Sequence, residues 1–165
     1  MRSAAVPSLL RTVATIGVGA AGFLAGASGL GTSGWPVAIA FLCGAGLIAA
    51  TLRPDRIGFL GAWLGALAVA AAVTVGGDTL SDPEYGASFK VFFIAASAIV
   101  AGMAFGACFL GAALIRQRIP LAADRVVLGL AAALLLIGLL GVGLAPSVTP
   151  VTSTAPAAPV GPAAA

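Results

Sequence analysis

Between Lys90 and Arg116 lie twenty-five consecutive residues, Val91 to Ile115, without a single charge. A helix of that length rises about 37 Å, more than the roughly 30 Å of a bilayer's hydrocarbon core. The stretch therefore reads as a membrane-spanning helix, and the other apolar runs of the chain fall into place around it. A hydrophobic share of 61% against 8% charged residues supports the same reading, since soluble domains run at roughly 45–50% and 25%. So few charges cannot cover the surface of a water-soluble globule. In 165 residues there is room for a handful of spans in one compact bundle, with no soluble domain.

The fold class is all-α: a polytopic bundle of about five spans over 12–30, 36–52, 57–76, 91–115 and 121–144. Residues 1–144 form the bundle. The first span follows Arg2 and Arg11 and precedes the small residues Ala25-Gly26-Ala27-Ser28, a layout shared with secretory signal peptides. Its apolar run exceeds the 7–15 residues of a signal core, which favours an uncleaved span. Gly31-Thr32-Ser33-Gly34 reads as a turn, and Trp35-Pro36 as an interfacial tryptophan with a first-turn proline. Arg53-Pro54-Asp55-Arg56 can only make a tight hairpin. Pro120 is placed in the first turn of the fifth helix, with Asp124 near its positive end.

Two segments stand apart. Gly77 to Phe89 carries Asp78, Asp82 and Glu84 with Leu80 and Tyr85, and reads as a solvated loop rather than a calcium site. Residues 145–165 are Pro, Ala, Ser, Thr, Val and Gly without any charge. Their five prolines favour an extended, disordered extracytoplasmic tail, left unmodified rather than glycosylated.

The charges fix an orientation. Alternating the loops puts Arg2, Arg11, Arg53, Arg56, Arg116, Arg118 and Arg125 on one side, and only Lys90, with three of the five acids, on the other. Cytoplasmic loops carry the Lys/Arg excess, so the amino terminus is cytoplasmic and the carboxy terminus outside, in the cell membrane. Arg116, Arg118 and Arg125 are also expected to meet anionic lipid headgroups.

Chemistry is excluded more readily than assigned. There is no His, which removes imidazole ligation of haem or zinc and His proton relays. No span contains Asp, Glu, Lys, Arg or His, and that counts against proton- or ion-coupled transport. Gly17-Val18-Gly19-Ala20-Ala21-Gly22 matches a dinucleotide-binding string, but inside an apolar span rather than after a strand. Cys43 and Cys108 lie about 12 Å and about 27 Å from the outer ends of their spans, a depth mismatch that argues against a disulfide. The chain is expected to hold no metal or cofactor, to bind no nucleic acid, and to be no enzyme.

What remains is packing. Membrane helices meet where small residues let backbones approach. In the fourth span, Phe92, Ile99, Met103, Leu110 and Leu114 share a bulky, lipid-facing side. Ala98, Gly102 and Gly106 form a small ridge beside Phe105 and Phe109, and Ser97, Ala101, Ala104, Cys108 and Gly111 a second small strip. Gly22 with Gly26, and Gly61 with Gly65, repeat the spacing elsewhere. These faces point to a non-catalytic accessory or structural subunit that packs against other membrane proteins, or against itself as an oligomer. A passive pore or carrier for a small or apolar solute is the alternative. The fourth span is expected to be the hub.

Overall fold

A computed structural model of the chain describes residues 5–76 and 87–143. The acidic segment with Asp78, Asp82 and Glu84, the tail, and Arg2 lie outside the described residues. The described residues form five helices: α1 (Ala5–Ser33), α2 (Trp35–Leu52), α3 (Arg56–Gly76), α4 (Ala87–Arg118) and α5 (Ala123–Gly143). All five are long and apolar enough to cross a membrane, which fits a multi-pass membrane protein.

Successive helices run antiparallel. Gly19 and Gly65 of α1 and α3 face Ala62 and Ile16, while Gly22 and Gly26 of α1 face Ala45 and Ala38 of α2. α1 packs on both α2 and α3; α3 also packs on α4, and both α4 and α5 lie against α2. The hub is therefore α2, not α4: 61% of its span is buried inside the bundle, against 22% for α4. The physical reason is the size of its side chains. Ala38, Ala40, Gly44, Ala45, Gly46, Ala49 and Ala50 are all buried and are distributed around the helix, so α1, α4 and α5 approach it closely, while Trp35 and Ile39 near its start stay exposed. An apolar helix with small residues on several faces suits the middle of a bundle.

Several boundaries differ from the sequence reading. α1 starts at Ala5 and ends at Ser33, because charges mark where the apolar stretch ends rather than where the helix does. For the same reason α4 contains Lys90, Arg116 and Arg118. The four-residue turn expected at 31–34 is a single residue. Gly34 has φ +82, a conformation that glycine adopts without steric cost, and its N–H donates to the Gly29 carbonyl at 3.2 Å. Pro36 does occupy the first turn of α2. Pro120 does not occupy that of α5. The chain turns over 120–122, with Ala122 N–H bonded to Ile119 O, and the first helical bond runs from Val126 N–H to Ala122 O. Asp124 does lie in the first turn of α5.

The interior is built from alanine, glycine and a few large side chains. One cluster joins Leu42, Ala45 and Ala49 of α2 to Ala62 and Ala66 of α3 and to Ala101 and Phe105 of α4. A second joins Leu47 and Ala50 to Cys108 and Ala112 and to Val127 and Ala131 of α5. Phe105 has no exposed surface and is the largest of the wholly buried side chains.

Candidate functional site

The small-residue pairs have distinct surroundings. A Cβ added at Gly22 would lie 2.3 Å from the Ala45 Cβ, and one at Gly26 3.2 Å from the Ala38 carbonyl oxygen. Added at Gly61 it would meet the Thr15 hydroxyl at 2.8 Å, and at Gly65 the Ile16 carbonyl at 2.1 Å. All four glycines are therefore taken up within this chain, seating α1 on α2 and α3. On α4 the ridge divides. Gly102 faces the Trp63 indole, whereas Gly106 has nothing within 4 Å. Gly111 of α4 and Gly129 of α5 are equally open.

Ala98 contributes its backbone. The Trp63 indole N–H donates to the Ala98 carbonyl at 2.8 Å, across from α3 to α4. The two phenylalanines take separate partners. Phe105 presses its ring against Gly46, where an added Cβ would lie 2.9 Å from the ring edge. Phe109 meets Phe59 of α3 edge to face, with centroids 5.8 Å apart and planes at 81°, an arrangement favoured by the ring quadrupoles. Phe92, Ile99, Met103, Leu110 and Leu114 are all exposed, as a lipid-facing side requires.

The cysteines meet. The Cys108 thiol donates to the Cys43 carbonyl at 3.4 Å, so the depth mismatch read from the sequence is wrong, although both thiols are free. Depth counted from the outer ends misleads because α4, at 32 residues, is far longer than α2, at 18. Counted from the opposite ends of the two helices, the cysteines lie at about the same level.

Arg11, Arg53, Arg56, Arg116, Arg118 and Arg125 gather at one end of the bundle, where α1, α3 and α5 begin and α2 and α4 finish. Two of them join helices. Arg53 directs its Nε to both oxygens of Asp55 at 3.0 Å, and its Nη1 to the Ser8 carbonyl and the Thr12 hydroxyl of α1. Asp55 in turn caps α3, accepting the Gly58 N–H at 2.9 Å, as an N-cap carboxylate should. Partial desolvation is the largest single influence on this carboxyl and raises its pKa. The Gly58 N–H and the hydrogen bond and charge of Arg53 together outweigh it, leaving the pKa below its ordinary value.

Arg116 reaches sideways. Its Nη2 donates to the Ala50 carbonyl at 3.0 Å, satisfying an orphan acceptor in the last turn of α2, and pairs with Asp124 of α5 at 3.0 Å. Arg118 and Arg125 are exposed. The sequence does not show that Arg53 and Arg116 fasten helices together. A hint lies in the acids Asp55 and Asp124, which sit within reach of cations on an otherwise basic side. No motif marks Trp63 in the sequence, though a tryptophan in mid-span must find an acceptor for its N–H.

At the end opposite the arginines, α1, α2 and α4 diverge around a cavity of about 280 Å³. Phe23, Trp35, Leu42, Phe93, Ser97 and Val100 are among the side chains that line it. A shallower groove between α3 and α4 runs past Phe59, Trp63 and Met103. The wholly buried hydroxyls of Thr15 and Thr74 each donate to a carbonyl of their own helix. Among the described residues, no group of three His, Cys, Asp or Glu side chains could hold a metal ion. No protein-family model, curated protein or solved structure matches this chain.

Proposed function

We propose that this chain is a non-catalytic subunit of a larger membrane assembly, either with other membrane proteins or as an oligomer of itself. It lies in the cell membrane, with the amino terminus in the cytoplasm and the carboxy terminus outside. The observation that carries the reading is the contrast between spent and unspent small residues. Gly22, Gly26, Gly61 and Gly65 are filled from within, while Gly106 faces open space on a helix whose buried side is already occupied. A small residue on a lipid-facing helix leaves a notch that another helix can enter closely. Arg118 and Arg125, exposed at the cationic end, are available to anionic headgroups on the cytoplasmic side, at about 1 kcal/mol per cation.

The test is co-purification in mild detergent at native expression. The wild-type chain should bring down a stoichiometric partner or a second copy. Gly106→Leu, which meets nothing in its own chain, should leave the bundle folded and lose that partner. A lone monomer in both cases overturns the reading.

A passive carrier for an apolar solute is the second reading, favoured by the cavity between α1, α2 and α4. Reconstituted vesicles would then show flux of a small apolar solute that Gly106→Leu leaves intact.

A further inference from the structure

We infer that the cavity at the end opposite the arginines is a phospholipid site, holding one acyl chain with the lipid phosphate at Lys90. The inference does not depend on which partner, if any, the chain assembles with.

Three observations meet at this place. The first is shape. α1 packs on α2 and α3, and α4 packs on α3 and α2, whereas α1 and α4 touch each other only marginally. The gap left between their ends is floored by α2, through Trp35, Ala38 and Leu42. At about 280 Å³ it is near the lower limit for a ligand pocket, with room for part of a single chain.

The second is chemistry. Of the side chains that line it, only Ser97 and Trp35 carry a polar atom, and the remainder are aromatic, aliphatic or small. Water gains nothing in such a place, since it needs two to four polar partners. An acyl chain gains a wall of rings.

The third is charge. Lys90 precedes Phe93, Ser97 and Val100 by three, seven and ten residues, the spacing of one helix face. Phe92 and Ala96, which also line the cavity, lie farther round the helix, so Lys90 stands above the cavity at one edge of the lining face. It is the only described cation at this end; Asp55 and Asp124 belong to the other end, and Asp78, Asp82 and Glu84, which share this side by the alternation of loops, lie outside the described residues. Lys90 also lies in the first turn of a 32-residue helix, whose dipole adds positive potential there. Trp35, at 63% exposure, closes the rim as tryptophans do at the level of the headgroups. Cation, interfacial ring and apolar slot are stacked in the order phosphate, glycerol and chain of a phospholipid.

The experiment is lipid retention by the full-length chain, purified from membranes in mild detergent, washed extensively, and read by native mass spectrometry. The wild type should keep one phospholipid per chain. Ala96→Phe, which fills the slot, should cut the retained fraction about tenfold. Lys90→Gln, which leaves the slot intact and cannot unfold a buried core, should cut it about fivefold, while Lys90→Arg keeps it. Leu139→Ala, on the exposed side of α5, should change nothing. Equal loss in Leu139→Ala and Ala96→Phe identifies ordinary boundary lipid and overturns the site. Retention unchanged in both Ala96→Phe and Lys90→Gln also overturns it. So does a lipid-free dimer that Ala96→Phe dissociates, because the occupant is then a second copy. A lipid-free wild-type monomer overturns it too.

Discussion

The Trp63 indole N–H donates to the Ala98 carbonyl at 2.8 Å, a side-chain bond between two helices that also meet edge to face through Phe59 and Phe109. That carbonyl also belongs to the regular ladder of α4, so the bond adds to the helix without breaking it. Interhelical hydrogen bonds in membranes are worth about 0.6 to 2 kcal/mol. Trp63→Phe keeps a ring in place and removes the donor. It is expected to destabilise the bundle by about 1 kcal/mol in a denaturing-detergent titration followed by circular dichroism. Trp63→Ala should cost about 3 kcal/mol or more, since it also empties the space. Equal losses in the two variants would assign the role of Trp63 to packing alone.

The glycines supply a sharper contrast. A Cβ at Gly19 would stand 2.0 Å from the Ala62 carbonyl oxygen, and at Gly65 2.1 Å from that of Ile16. Both obstacles are backbone, which cannot swing aside. Gly19→Ala and Gly65→Ala are each expected to lose about 3 kcal/mol, at the upper end of overpacking costs. Gly106→Ala, with nothing nearby, should be neutral or slightly stabilising, because alanine is the better helix former by about 1 kcal/mol. Thermal unfolding in detergent of the three single variants measures this directly.

These contrasts show what the sequence conceals. The five helices are legible because twenty apolar residues in a row have few alternatives in a membrane, and Pro36 and Asp124 sit where helix starts want them. The hub is not legible. Small residues are so frequent that the strips on α4 stand out no more than those on α2, and only the fold shows that α2 is the most covered helix. Nor is the meeting of Cys43 with Cys108, because register between helices of unequal length depends on which ends are aligned. Among the glycines at four-residue spacing, Gly22 and Gly106 look alike in sequence. One faces Ala45 and the other faces nothing in this chain, a difference decided by tertiary packing.

The α2–α3 hairpin should be pH-sensitive. Asp55 caps α3 and pairs with Arg53, and its pKa is held below the ordinary value. A carboxyl depressed in the folded state stabilises that state above its unfolded pKa of about 3.9, and the contribution fades as pH falls through the folded pKa. Melting temperature should therefore be level from neutral pH to about 5 and drop below about 4. Asp55→Ala should lower stability by about 1 kcal/mol at pH 7, the usual worth of an N-cap. It should also flatten the acid limb that this residue contributes. An acid limb unchanged by Asp55→Ala would place its origin elsewhere.

The arginines of the cationic end should separate by function. Arg116 ties the last turn of α2 to the first turn of α5 through the Ala50 carbonyl and Asp124. Arg118, two residues on, is exposed. Arg116→Gln leaves Asp124 unpaired and removes a charged donor from a partly buried carbonyl, a loss of about 1.5 to 3 kcal/mol for a hydrogen bond to a charged group, discounted towards the lower figure because Asp124 is well exposed. Arg118→Gln should cost less than about 0.5 kcal/mol. Both substitutions remove one positive charge, so they should weaken retention of anionic lipid by the detergent-purified chain to a similar degree, about fivefold at most. A stability assay and a lipid-retention assay on the same two variants therefore read different things. If Arg118→Gln destabilises the bundle as much as Arg116→Gln, charge density at this end matters to stability and the bridge to Ala50 and Asp124 does not.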